Sequence, residues 1–163
     1  MQLVKYIVVF VVLLIIEINF IQLIAIHDVT PDLILIFVII ISLKESRNRA
    51  GVIGFLAGLV QDAFTTQFFG LSALAKTIVG FWGSFFQRPT KKYNLPSYLM
   101  AVVPLVFIHE IIFGFIYKLS LHLGFFRALI SFIIPRALYT SFFALMIYLL
   151  FKRRLWKAEE RFD

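Results

Sequence analysis

The chain has 163 residues, of which 61% are hydrophobic, 17% aromatic and 15% charged, with a formal net charge of +7 and no cysteine. Too few polar side chains are present to coat a water-soluble domain, so lipid is the expected solvent. The expected fold is an all-α integral membrane protein, a bundle of about six transmembrane helices filling residues 1–163 as one domain. The basic residues fall in short clusters between apolar runs, which argues against nucleic-acid binding, and the absence of cysteine excludes disulfides and thiolate metal sites.

The first predicted helix covers 6–26, long enough at about 1.5 Å per residue to span roughly 30 Å. It follows Lys5 and lacks a small-residue cleavage site before His27 and Asp28, so it reads as an uncleaved helix and not a signal peptide. The second is predicted over 31–44, opening on Thr30 as N-cap, Pro31 in the first turn and Asp32 at the positive helix end. The charged stretch from Lys44 to Arg49 ends it. A third segment over 50–64 and a fourth over 71–87 flank a charge-free loop containing Thr65, Thr66, Gln67 and Gly70. Arg88, Pro89, Lys91 and Lys92 follow. The fifth helix is predicted over 96–119 and the sixth over 129–151, with Pro104 and Pro135 expected to kink them. A basic tail, 152–163, closes the chain and carries Trp156.

Six crossings put Lys5, the turn from Lys44 to Arg49, Arg88, Lys91, Lys92 and the basic tail on one side. Only Lys118 and Arg127 fall on the other. By the positive-inside rule both termini are expected in the cytoplasm. The same sums hold if 50–64 and 71–87 form a re-entrant hairpin instead of two full crossings.

Glu17, Asp62, Lys76, Glu110 and Arg136 lie within the apolar segments. A charge at mid-bilayer costs about 2.5–3.5 kcal/mol on insertion scales, so each should find a partner or face the protein interior. Depth arithmetic places Asp62 and Lys76 level at about 17 Å, and Glu110 and Arg136 level at about 22 Å, from the cytoplasmic side. Glu17 is left without an assigned partner. Gly54, Gly58 and Asp62 recur every four residues on one face, opposite Lys76, Gly80 and Gly83. The spacing sets Gly54 level with Gly83 and Gly58 with Gly80, predicting a close-packed hairpin closed by an Asp62–Lys76 pair.

These charges read first as ties between helices and second as a proton or solute path, because their pairing looks nearly complete. His109 beside Glu110 reads as a packed polar residue before a proton relay. The tail reads as a positive-inside anchor before a grip on anionic lipid. No Walker loop, H-E-x-x-H or G-x-S-x-G motif is present, so no catalytic residue, cofactor or metal is assigned.

Pro31 with the run from Leu33 to Phe37, the charged turn, and then Gly54, Phe55, Gly58, Asp62, Gly70, Leu71 and Leu74 resemble the rod shape-determining protein family MreD. The spacing G-F-x-x-G-x-x-x-D, followed eight residues later by Gly70, carries most of the likeness. The resemblance implies a noncatalytic component of the bacterial inner membrane within the machinery that elongates the peptidoglycan wall. Its implied partners are MreC, the RodA glycosyltransferase, a class B penicillin-binding protein and MreB, besides membrane lipids. It also implies a fold similar to the membrane substrate-binding subunits of energy-coupling-factor transporters. A vitamin-type small-solute binding subunit is therefore the alternative function, and an intramembrane enzyme using Glu17 or Asp62 stands behind both. The short outer loops favour the scaffold, because a solute binder needs conspicuous polar groups there.

Overall fold

A computed structural model describes residues 2–26, 29–64, 68–88, 93–119, 126 and 129–157. His27, Asp28, Thr65, Thr66, Gln67, Pro89, Lys91, Lys92, Arg127 and the tail from 158 lie outside the described residues, as do the side chains of Lys118, Lys152, Arg153, Arg154 and Trp156. Among the described residues six α-helices are delimited: α1 Gln2–Asn19, α2 Leu33–Ser42, α3 Arg47–Phe64, α4 Leu71–Gly83, α5 Leu95–Leu119 and α6 Ile134–Lys157. 3₁₀ turns at Ile21–Ile24 and Ser84–Phe86 extend α1 and α4, and a π-helical turn at Leu129–Ile133 leads into α6. No strand occurs among the described residues. An isolated antiparallel bridge between Ile26 and Val29 closes the turn from α1 to α2.

Local chemistry accounts for where these helices start and stop. α1 ends before the predicted boundary, at Asn19, whose side-chain amide donates to the Ile15 carbonyl at 2.9 Å and competes with the helical ladder. α2 is capped by Asp32 and not by Thr30. Asp32 holds an extended backbone and its carboxylate accepts from the Leu35 amide at 2.6 Å, the reach an N-cap oxygen needs, while Pro31 is buried just ahead of it. α3 begins earlier than predicted, inside the charged turn at Arg47. Gly70 caps α4 with φ 96°, a left-handed conformation that favours glycine.

α5 runs through Pro104 without interruption. The kink predicted at Pro135 takes another form: the π turn immediately precedes it, where a missing amide disturbs the ladder. Gly114 of α5 lets that turn approach, since a Cβ there would lie 2.6 Å from Ile133 Cγ1.

α2 is the axis of the bundle. It packs on α1, α3, α4, α5 and α6, and every residue from Leu33 to Ile39 is buried, which explains a ten-residue sequence that is apolar on all sides. Around it lie two apolar clusters, one with α5 and α6 through Tyr98, Val102, Leu105 and Ala137, the other with α1 and α3 through Leu14 and Ala57. The outward faces are also apolar: Val8 and Val12 of α1, Val52 and Leu56 of α3, and Leu138, Phe142, Leu149 and Leu150 of α6 are exposed. Asp32, Gln61, Asp62, Lys76, His109, Glu110 and Thr140 are buried instead. Among the described residues two segments, Leu95–Ile116 of 22 residues and Leu129–Phe151 of 23, are long and apolar enough to cross a membrane, and Leu33–Ser42 and Leu71–Phe86 are shorter apolar helices.

Candidate functional site: a buried charged layer

The site is assembled on the α3–α4 hairpin. A Cβ on Gly58 would lie 2.5 Å from the Ala73 backbone; one on Gly54 would overlap the Lys76 carbonyl, and one on Gly80 the Ala50 carbonyl. The two backbones touch along this line, as a glycine face allows. The register differs from the predicted one by about two turns. Gly54 meets Lys76 and Thr77, not Gly83, and Gly58 meets Ala73, not Gly80. Gly83 leaves the hairpin altogether and faces Ser42 of α2 and Leu105 of α5. Phe55, on the outer side of α3, is 46% exposed and takes no part in this contact.

Asp62 sets that register. Its carboxylate accepts from the Gly70 amide at 2.9 Å, the Ser72 amide at 3.3 Å and the Ala73 amide at 3.1 Å, so it satisfies the open first turn of α4 where Gly70 offers no side chain. Asp62 is therefore not the partner of Lys76, contrary to the spacing argument. Aligning Ala50 with Gln87 sets Asp62 and Lys76 level, whereas the cap holds the start of α4 beside Asp62 and carries Lys76 to Gly54.

Lys76 instead reaches α2. Its Nζ lies 2.6 Å from Asp32 Oδ2, with both side chains buried. His109 of α5 continues the chain, its Nε2 3.4 Å from Lys76 Nζ and 4.0 Å from Asp32 Oδ2, its Nδ1 3.2 Å from Glu110 Oε1. A carboxylate at Nδ1 and an ammonium at Nε2 fit the tautomer that donates from Nδ1 and accepts at Nε2. Glu110 Oε2 lies 3.5 Å from Arg136 Nε of α6, the pair that depth arithmetic had matched. The Arg136 guanidinium also stands 5.0 Å from the Phe113 ring centre, and Phe113 stacks on His109 at 5.8 Å. Thr140 Oγ1 accepts from the Asp32 amide at 3.2 Å and adds a second α6 contact. Four helices thus share one connected run of acidic and basic groups: Asp32, Lys76, His109, Glu110, Arg136.

Glu17 of α1 lies at the edge of this layer. Its Oε2 accepts from the Ile34 amide at 3.1 Å and its Oε1 from Gln61 Nε2 at 2.6 Å, linking α1 to the first turn of α2 and to α3. The group left unassigned by spacing therefore has two donors. Asp32 is the member that the sequence reading leaves out of the layer, because it stands there as an acid at the positive end of α2, outside the apolar segments. The available signal was an acid immediately before a wholly apolar run.

Below the layer, the opposite end of the bundle is tied by aromatic hydroxyls. Tyr98 and Tyr148 stack at 4.6 Å, Tyr148 donates to the Tyr93 carbonyl at 2.9 Å and Tyr93 to the Phe86 carbonyl at 2.8 Å. Burial raises the Tyr93 phenol above its ordinary pKa, opposed by the Arg88 amide and charge. At this same end the Tyr6 hydroxyl donates to Glu45 at 3.0 Å, and the Gln87 side chain donates to the Ser42 and Glu45 carbonyls.

An all-helical bundle, apolar outside and ion-paired inside, defines a membrane-associated helical protein. Comparison of the sequence with known families places it more closely. A family model described as rod shape-determining protein MreD matches residues 1–156, and the chain belongs to that family. Membership brings a role in rod shape determination, within the shape-determining MreBCD system. No curated protein and no solved structure matches the chain.

Proposed function

We propose that this chain is a noncatalytic, multi-pass scaffold of the bacterial inner membrane that binds MreC and helps position RodA and a class B penicillin-binding protein alongside MreB. The observation that carries this reading is the commitment of the buried charges to partners within the bundle: Lys76 to Asp32 of α2, Glu110 to Arg136 of α6 and to its own neighbour His109, Asp62 to the start of α4, Glu17 to α2 and α3. Directional bonds of this kind fix helix positions where lipid supplies no hydrophobic drive between helices, and a fixed outer surface is what a docking scaffold needs.

Six crossings, arranged like the membrane subunits of energy-coupling-factor transporters and with both termini cytoplasmic, complete the proposal. Support comes from the placement of the basic stretches. Tyr6 bonded to Glu45, and Gln87 to the carbonyls of Ser42 and Glu45, bring the neighbourhoods of Lys5, Lys44 to Arg49 and Arg88 to one end, where a positive-inside arrangement requires them.

The test is depletion in a rod-shaped host combined with affinity purification from solubilised membranes. Rounded cells and co-purification of MreC are expected. Normal shape accompanied by lost uptake of one small solute would instead establish the transporter-subunit alternative.

A further inference from the structure

We propose that the α3–α4 end of the bundle binds the headgroup of an anionic phospholipid, with Arg47 as the residue that contacts its phosphate. The proposal rests on the membrane-spanning reading above but not on any protein partner.

Arg47 opens α3 and is exposed. Its guanidinium stands 4.0 Å from the ring centre of Phe85 and 5.2 Å from that of Phe81, and among the described residues no carboxylate pairs with it. Aromatic rings do not satisfy the N–H groups of a guanidinium as a carboxylate would, so Arg47 keeps donors for a bidentate acceptor such as a phosphate. Two further cations share this end. Arg88 is exposed just beyond Gln87, which is bonded to the Ser42 and Glu45 carbonyls, and Arg49 is 77% exposed although it lies 3.6 Å from Glu45.

The apolar part of the ligand is also provided for. Phe81, Trp82 and Phe85 are 37%, 53% and 61% exposed on the outward side of α4, where acyl chains lie against a membrane helix. Trp82 and Phe85 meet edge to face at 6.4 Å, which fixes the aromatic shelf below the cation. A cation held over an aromatic shelf at the basic end matches a lipid with a negative head and apolar tails. A zwitterionic lipid offers the same phosphate together with a compensating ammonium.

The test uses the full chain in mixed bilayers and the fluorescence of Trp82, with Trp156→Phe removing the other indole. Brominated phosphatidylglycerol and brominated phosphatidylcholine with identical acyl chains serve as quenchers. Phosphatidylglycerol is expected to associate about fivefold or more strongly, the effect of about one surface cation. Arg47→Gln should remove most of that preference. Lys5→Gln, which lowers the net charge equally but lies on α1, should leave it intact. Equal quenching by the two lipids, or equal losses in the Arg47 and Lys5 variants, overturns the site while keeping the protein in the bilayer. Absence of quenching by either lipid overturns the membrane-spanning reading as well.

Discussion

Lys76 of α4 forms its ion pair with Asp32, the N-cap of α2, across 2.6 Å in a fully buried setting, and not with the acid of its own hairpin. Asp32 consequently does two jobs, since its other oxygen accepts from the Leu35 amide. Removing the cation alone leaves a buried carboxylate uncompensated. Lys76→Met should cost about 3–5 kcal/mol, and Asp32→Asn in the same chain should recover part of it because asparagine still caps. Double-mutant cycles on unfolding in detergent should give a coupling energy above about 1 kcal/mol for Asp32 with Lys76 and additivity within about 0.5 kcal/mol for Asp62 with Lys76. Coupling to Asp62 alone would contradict the geometry.

The hairpin contact makes a graded prediction for single methyl groups. Gly58→Ala places a Cβ 2.5 Å from the Ala73 backbone, which cannot rotate aside, so the helices must separate and stability should fall by about 1–3 kcal/mol. Gly51→Ala meets only Phe81 Cβ at 3.8 Å and the Thr77 carbonyl at 3.9 Å, ordinary contacts, and should be neutral or slightly stabilising through helix propensity. Thermal denaturation of the two variants in one detergent compares them directly. Similar losses would mean that the hairpin is looser than its glycine face indicates.

The helical bundle was legible in the sequence because composition and run length are local properties. Glu110 and Arg136 were also legible as a pair, since α5 and α6 are adjacent in the chain and both long. The partner of Lys76 was not. Depth arithmetic compares sequence neighbours, and a lysine stem of four carbons reaches sideways to a helix that is remote in the chain. The hairpin register failed for a related reason: it follows from the Asp62 cap on Gly70, Ser72 and Ala73, whereas the spacing argument aligned the far ends of the segments. α2 has only ten residues and is covered by five other helices, which is why its run is apolar on every side and shows no helical periodicity.

Asp62 should therefore behave as a cap. Asp62→Ala removes an acceptor from the Gly70, Ser72 and Ala73 amides and should cost about 1–2 kcal/mol, with Asp62→Asn losing less. Hydrogen exchange separates this role from that of an ion-pair partner. Amides from Gly70 to Ala73 should exchange faster in the alanine variant while those around Asp32 and Leu35 stay as slow as in the parent. Faster exchange at Asp32 and Leu35 alone would point back to a pairing role.

Glu17 is the polar tie that α1 makes to the rest of the layer, and its replacement should loosen that helix selectively. α1 packs on α2 and α3 through Phe10, Leu13 and Leu14, with Val8 and Val12 exposed, so its apolar contact is one-sided. Glu17→Leu would strand the Ile34 amide and the Gln61 side-chain amide, each a buried donor whose loss of a partner costs about 1–3 kcal/mol. Glu17→Gln retains a carbonyl for Ile34, and rotation of the Gln61 amide by half a turn restores its bond to residue 17, so that variant should stay close to the parent. Because the chain has no cysteine, a single introduced pair reports the position of α1 cleanly. Phe10 and Phe37 face one another with ring centres 6.0 Å apart, so cysteines at these positions are sites for a short bifunctional thiol reagent. The Phe10→Cys, Phe37→Cys pair should cross-link as readily in the Glu17→Gln background as in the parent, and more slowly with Glu17→Leu. Equal cross-linking in all three would show that apolar packing alone holds α1 in place.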